Sequence, residues 1–349
     1  MDVTPGPAPL IEVCNLGVQF RATHGRMLQA VDGLAFRIDP QETLGLVGES
    51  GCGKSVTALA IMGLIPSPPG RLSGGEILFR HKGRAVNLAG LAPTGREMRS
   101  VRGNEIAMVF QEPMTSLNPV YTIGNQIMEA IVIHQRMGRQ EAREKAAEML
   151  HAVGIPLPRQ RLDEYPHQMS GGMRQRVMVA MALSCNPALL IADEPTTALD
   201  VTIQAQVLDL MNRLRQEYRA AILFITHDLG VIARMADRVA VMYLGRIVES
   251  APVRRIFRGP QHPYTQGLVN SIPSLAVPRG RRLVPIAGAV PDPFHIPAGC
   301  GFRPRCPFAR DVCGVERPPL KPVGEGHAAA CWLHASPGEN QNGHRSASP

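Results

Sequence analysis

The sequence predicts an α/β protein whose parallel sheet carries a phosphate-binding site at the C-terminal ends of its strands. Three observations support this. An apolar strand over 43–47 runs into the glycine-rich turn Gly48-Glu49-Ser50-Gly51-Cys52-Gly53, then into Lys54, Ser55 and a helical stretch over 56–64. Two continuous apolar runs, 188–192 and 221–225, have the composition of strands buried on both faces. They end in the polar pairs Asp193-Glu194 and His227-Asp228. Strands that end in polar residues and alternate with helices are how an open parallel sheet builds a ligand site.

Taken in order, 11–20 and 34–38 alternate as strands of an N-terminal sheet, with a polar turn around His24-Gly25. Phe20 offers a flat apolar face on which an adenine could stack; core packing explains it equally well. In the turn that follows, backbone N–H groups can converge on phosphate oxygens, and the helix behind it directs its positive end to the same place. Gly48, Ser50, Gly51, Cys52, Gly53 and Val56 are the backbone of this cradle. Lys54 supplies a mobile charge for the β/γ-phosphates and Ser55 a hydroxyl for Mg²⁺. The prolines of 66–70 break the chain, and 75–79 resumes as a strand. The run 106–110 ends at Gln111, and 112–119 is a loop. From 122 to 153 the pattern is helical, with Ile123, Ile127 and Ile131 on one face, an all-helical insertion between two sheet-forming halves. Ser170-Gly171-Gly172 opens a second helix and again presents N–H groups to an anion, which makes sense if it closes over a nucleotide held by another subunit. Asp193 can hold Mg²⁺ through water, Glu194 can polarise an attacking water and His227 can contact the γ-phosphate. The simpler readings are a carboxylate pair at a helix N-terminus and a solvated loop. The stretch 201–218 is helical.

At 349 residues the chain has room for two domains. No run of about 18 apolar residues is present and the N-terminus lacks a signal-peptide pattern, so a cytosolic protein is expected, with any membrane role peripheral. The net charge of +8 sits mostly in residues 251–349, which hold 12 Lys and Arg against 5 Asp and Glu. With only 4% aromatic residues to stack bases, nucleic acid is not expected as a partner. From Gly259 the chain is rich in Pro, Gly and Arg, with too few apolar residues for a core of its own. Cys300, Cys306, Cys313 and Cys331 cluster there. In a cytosolic chain such a cluster suggests metal more than disulfides. Their spacing fits neither a zinc ribbon nor a bacterial ferredoxin run, which leaves the identity open, and reduced thiols are the plain alternative. Arg303, Arg305 and Arg310 are expected to lower the thiol pKa values.

Six motifs in order resemble an ABC transporter ATPase subunit: Gly48 to Ser55 as Walker A, Gln111 as the Q-loop and Ser170 to Arg176 as the signature, then Leu189 to Glu194 as Walker B, Ala198-Leu199-Asp200 as the D-loop and His227 as the switch histidine. The stretches 110–119, 193–202 and 299–306 look like the dipeptide/oligopeptide/nickel importer branch. Met173 stands where Gln is commoner in the general signature and matches this branch.

The resemblance implies a RecA-like α/β core of the ABC type over 8–258, with an N-terminal antiparallel β subdomain and a helical subdomain at about 115–183. A C-terminal extension over 259–335 and a disordered tail over 336–349 follow. It implies ATP and Mg²⁺, with Ser55, Gln111 and Asp193 as metal ligands and Gln111, Glu194 and His227 in the catalytic role. Ser170, Gly171 and Gly172 would cover the nucleotide of a second ATPase subunit, identical or homologous. Two membrane-spanning subunits and a solute-binding protein complete the scheme, at the cytoplasmic face of the inner membrane. For the four cysteines the resemblance implies a [4Fe–4S] cluster that pins 285–335 to the core, with zinc as the alternative. A soluble ABC-type ATPase acting on nucleic acid or translation is the competing reading; such chains usually carry two cassettes, and this one has a single cradle and a single signature. A redox or iron sensor built on the tail is a third. The transported solute is not legible here, because its contacts lie on other chains.

Overall fold

A computed structural model describes residues 8–22, 25–111, 116–197, 199–272 and 286–334. His24, the loop residues 112–115, Ala198 and the polar terminus 336–349 lie outside the described residues.

The alternating N-terminal segments form strands β1 (Ile11–Arg21) and β2 (Met27–Ile38), which pair antiparallel with Ile11 opposite Ile38 and Val18 opposite Val31. With β4 (Gly70–His81) and β5 (Arg84–Asn87) they make a four-stranded sheet in the order β2-β1-β4-β5. Its buried side chains, among them Ile11, Leu16, Leu34, Ile38 and Phe79, form one cluster with Leu44 and Leu46 of β3 (Thr43–Val47) and Ile61 of helix α1 (Lys54–Ile61). Each such side chain contributes about 1.5–3 kcal/mol by leaving water, and together they dock this sheet on the strand that feeds the phosphate turn.

The second sheet has eight strands in the order β11-β12-β10-β9-β3-β8-β7-β6. Its centre is parallel: β9 (Arg238–Tyr243), β3, β8 (Ala221–Thr226), β7 (Leu189–Asp193) and β6 (Ile106–Val109). Strands β3, β7 and β8 are buried along their whole length, as their continuous apolar composition requires. The strand order is not sequential, so β3, β7 and β8 lie side by side and bring the polar residues at their C-terminal ends to one edge.

The helical insertion follows α2 (Arg96–Val101) and consists chiefly of α3 (Ile123–Gln135), α4 (Arg139–Ala152) and α5 (Gly171–Leu183). Thr122 Oγ1 caps α3 by accepting the Asn125 N–H at 3.3 Å, and Ile123, Ile127 and Ile131 are fully buried. The expected single helical stretch is broken at Arg136, whose left-handed φ of 56° ends α3. After β7 come α6 (Val201–Tyr218), capped by Asp200, and α7 (Leu229–Met235), capped by Asp228.

Beyond β10 (Arg246–Pro252), α8 (Val253–Arg258) and α9 (Pro263–Asn270), the C-terminal extension lacks a core of its own, as its composition requires, but it is held by more than its cysteines. Strands β11 (Lys321–Gly324) and β12 (His327–Ala329) continue the core sheet from the edge of β10, with Glu249 opposite Ala329. Glu249, fully buried, accepts hydrogen bonds from the Gln261 and His262 N–H groups at 2.7 and 2.8 Å, and its Oε1 lies 2.7 Å from His327 Nε2. Phe302 and Tyr264 join the hydrophobic cluster that contains side chains of β7, β8 and β9. Sheet pairing, one buried carboxylate and two borrowed aromatic anchors therefore supply order to a segment whose composition left that task to something other than a core of its own.

Candidate functional site

Strand β3 delivers the chain into the turn 48–53, and the packing explains why glycine recurs there. A Cβ on Gly48 would lie 2.2 Å from the Met242 carbonyl oxygen of β9. Gly53, at φ 102°, caps α1 in a conformation that L side chains rarely adopt, and a Cβ there would meet the Ala30 carbonyl at 2.4 Å. Lys54 is buried, and its Nζ donates to the carbonyls of Gly48 at 2.8 Å and Glu49 at 3.0 Å. A buried ammonium held by backbone carbonyls within a ring of N–H groups suits an arriving polyanion, for which it can exchange its partners.

Ser55 Oγ donates to Asp193 Oδ1 at 3.1 Å, joining the ends of β3 and β7. Burial pushes the Asp193 carboxyl up, and the neighbouring Glu194 charge adds to this; the Ser55 hydrogen bond and the Lys54 charge offset it only in part. A hydroxyl and a destabilised buried carboxylate in contact are the donor chemistry of a Mg²⁺ site.

One residue further, Glu194 gathers the rest. Its backbone takes φ 46°, its N–H donates to the Ile225 carbonyl at 2.9 Å, and its side chain is among those that line the cleft. Gln111 Nε2 donates to Oε2 at 3.1 Å, Thr197 Oγ1 donates to the same oxygen at 2.9 Å, and His227 Nδ1 lies 3.1 Å from Oε1. Burial by itself would raise the Glu194 carboxyl, but hydrogen bonds from His227 and Thr197, with the His227 and Lys54 charges, hold it below the ordinary range. It is therefore ionised. Gln111 and His227, which sequence reasoning directed to phosphate and metal, are both engaged here by Glu194.

These groups border a cleft of about 740 Å³ lined by Gly48, Ser50, Gly51, Gly53, Lys54, Ser55, Val56, Gln111, Glu194 and His227. Phe20 lines it beside Leu28 and Ala30, which supplies the apolar wall expected of an adenine subsite. Cys52 is buried beneath, its Sγ 3.8 Å from Lys54 Nζ. Ser170, Gly171 and Gly172 do not line this cleft. Ser170 Oγ instead caps α5, accepting the Met173 N–H at 3.3 Å. A separate cavity of about 190 Å³ lies between β2, β10 and the extension, beside Asp32, Arg246 and Arg317, and shares no residue with the phosphate turn.

Two participants escaped the sequence. Thr197, within the stretch that follows Glu194, carried no signal beyond its position. Glu49 is tied to the far end of the chain: its carboxylate takes a bidentate pair from Arg305 and its N–H donates to the Tyr264 hydroxyl at 2.9 Å.

The four cysteines line one small cavity with Pro263, Phe302 and Trp332. Among the described residues, however, no three His, Cys, Asp or Glu side chains are placed to hold a metal ion. The expected lowering of the thiol pKa values is also reversed. Burial pushes Cys300, Cys306 and Cys331 up, the last to about 11, and Arg305 points away to Glu49.

The comparisons with known proteins agree with this geometry. Residues 31–197 match the family model described as ABC transporter, and 248–313 match the one described as Oligopeptide/dipeptide transporter, C-terminal region. A putative peptide import ATP-binding protein of Brucella ovis is 53% identical over 329 residues, covering 93% of this chain and 96% of that protein. The oligopeptide transport ATP-binding protein AppD of Bacillus subtilis is 51% identical over 333 residues, covering 95% and 99%. The dipeptide transport ATP-binding protein DppD of the same organism is 49% identical, covering 93% and 94%. Among solved structures, the ATP-binding cassette MJ0796, a dimer in a post-hydrolysis state bound to ADP and Pi, superposes with a TM-score of 0.61 at 25% identity, covering 70% of this chain and 99% of that one.

Proposed function

This chain belongs to the ABC transporter ATP-binding family, in its oligopeptide/dipeptide branch, and from that premise we propose how its residues divide the work. The chain is the ATP-binding and ATP-hydrolysing subunit of a peptide-type ABC importer, working as one of a pair of ATPase subunits with membrane-spanning permease subunits. The competing reading, a soluble ATPase acting on nucleic acid or translation, is not favoured.

The observation that carries the assignment of roles is the Glu194 carboxylate, ionised and bridging Gln111, Thr197 and His227 in the lining of the phosphate cleft. Lys54 exchanges its two carbonyl partners for the β/γ-phosphates. Ser55 and Asp193 would hold Mg²⁺, with Gln111 adjoining, and that ion supplies charge neutralisation at the phosphates. Glu194 orients and polarises the water that attacks the γ-phosphorus, and His227 and Gln111, released from it, read the γ-phosphate. Phe20 stacks on adenine. Ser170, Gly171 and Gly172, turned away from their own chain's cleft, cover the partner's nucleotide. Domain limits of 8–258, with a helical subdomain at 115–183 and an extension over 259–335, suit these roles, although the core sheet runs on into the extension. Among the described residues no helix is long and apolar enough to cross a membrane, which suits peripheral attachment at the cytoplasmic face.

The test is ATP turnover by the assembled transporter. Glu194→Gln should bind ATP and accumulate the closed pair with hydrolysis lowered at least about 100-fold, whereas Lys54→Ala should bind ATP poorly. Near-normal turnover by Glu194→Gln would remove Glu194 from the reaction.

A [4Fe–4S] cluster on Cys300, Cys306, Cys313 and Cys331 is the finer reading of the extension. Its support is the shared cavity that the four thiols line. Anaerobically purified protein should then be brown, with about four irons per chain. One zinc per chain would transfer the site to zinc, and neither metal would end the proposal.

A further inference from the structure

Glu49 is the one acidic side chain inside the phosphate turn 48–55, and every polar part of it is spoken for. Its carbonyl accepts from Lys54 at 3.0 Å. Its N–H donates to the Tyr264 hydroxyl at 2.9 Å. Its carboxylate takes both terminal nitrogens of Arg305, Nη1 on Oε2 at 2.6 Å and Nη2 on Oε1 at 3.0 Å. Its carbonyl also accepts the Cys52 N–H at 3.3 Å. Two of these four ties come from beyond residue 258, across a separation of 215 residues for Tyr264 and 256 for Arg305.

Arg305 is built in, not laid across a surface. Its side chain is 3% exposed. Nε donates to the Ala287 carbonyl at 3.1 Å and Nη1 reaches the Tyr243 hydroxyl at 3.4 Å. The guanidinium stands 5.9 and 5.8 Å from the Tyr243 and Phe302 ring centres. A planar guanidinium held by these contacts fixes the plane of the carboxylate it grips, which a lysine could not do.

The consequence lies in the cradle. A carboxylate in a turn that must receive a polyphosphate repels the ligand unless it is neutralised and held aside. Arg305 does both. When Lys54 leaves the Glu49 carbonyl for phosphate, that carbonyl keeps only the Cys52 N–H of its own turn, and Tyr264 and Arg305 are the ties from outside the turn that keep the Glu49 peptide where it was.

We propose that the C-terminal extension sets the nucleotide affinity of the phosphate loop within the same chain, with Arg305 as the positioning residue and Glu49 as the residue it positions. The inference rests on the ATPase reading above and goes beyond it by giving the extension a part in nucleotide binding. Because Arg305 immediately precedes Cys306, whatever orders the cysteine cavity also orders this grip.

The experiment measures binding of mant-ATP with Mg²⁺ to the purified full chain, and KM and kcat for ATP in the assembled transporter. Arg305→Ala should weaken mant-ATP binding about tenfold, and Tyr264→Phe, which removes one neutral hydrogen bond, about threefold. The KM for ATP should rise by the same factors while kcat at saturating ATP stays within about twofold. Glu49→Gln placed on top of Arg305→Ala should recover most of the lost affinity, because no carboxylate is left to swing into the cradle. Affinity within about twofold of wild type in a folded Arg305→Ala chain would overturn the proposal, as would a fall in kcat at unchanged KM. If Arg305→Ala does not fold, Tyr264→Phe decides, and unchanged affinity there overturns it. Wild-type protein that fails to bind mant-ATP would instead sink the ATPase reading itself.

Discussion

Acidification should loosen the extension through one histidine. His262 is 2% exposed at the start of α9, where its Nδ1 accepts the Tyr264 N–H at 3.0 Å and its own N–H donates to Glu249 at 2.8 Å. Burial, with a smaller push from His334, lowers its pKa from 6.5 to about 3. The sign follows from proton uptake. Below pH 6.5 the unfolded chain binds a proton at this ring and the folded chain does not until about pH 3, so stability is full above 6.5 and falls as pH drops between those values. At pH 5 the unfolded form has gained about 1.5 units of advantage, which at about 1.36 kcal/mol per unit is about 2 kcal/mol. His262→Asn keeps a cap acceptor for the Tyr264 N–H but does not titrate. Trp332, the single tryptophan, lies in the extension and reports locally. In urea unfolding followed by its fluorescence, wild type should lose about 2 kcal/mol more than His262→Asn between pH 7 and pH 5. The variant's lost packing against Phe302, whose ring centre lies 5.7 Å away, enters at both pH values and cancels. Equal losses in the two proteins would show that His262 is charged in the folded state and refute the reasoning.

Two further outcomes follow from the site. Ser170→Ala should cost about 1 kcal/mol as a lost helix cap, and with Gly171→Ala it should leave nucleotide binding to an isolated subunit unchanged while abolishing hydrolysis by the assembled pair. Equal loss of binding by the isolated subunit would place this turn in its own chain's pocket. Asp193→Asn should raise the thermal midpoint of the nucleotide-free chain, because burial has raised the carboxyl's pKa and the charged form costs stability as pH rises through it. The same change should remove the Mg²⁺-dependent increase in that midpoint and abolish hydrolysis. A lower midpoint without nucleotide would show that the carboxylate is already satisfied.

The phosphate turn, the buried strands β3, β7 and β8, and the helical insertion were all legible because each is a local pattern. A glycine-rich turn needs its glycines where Met242 and Ala30 crowd it, and a strand buried on both faces must be apolar throughout. The same locality accounts for what was misread. Three arginines beside four cysteines suggested lowered thiol pKa values, but neighbours in sequence point where packing sends them, and Arg305 is sent to Glu49. Counting apolar residues suggested that something other than a core of its own must order the extension, and the four cysteines offered a metal for that task. The count could not show that β12 would pair with β10, or that Tyr264 and Phe302 would pack in another segment's core.

By itself, then, the sequence determined the class of fold, the phosphate cradle and the identity of the acidic and histidine groups past the strand ends, since propensity, periodicity and turn chemistry act over a few residues. Tertiary structure alone decided that Gln111, Thr197 and His227 converge on Glu194, and that Arg305 and Tyr264 reach back to Glu49. Those contacts depend on the order of strands in the sheet and the path of the chain around its edge, where residues more than 200 positions apart become hydrogen-bonding neighbours.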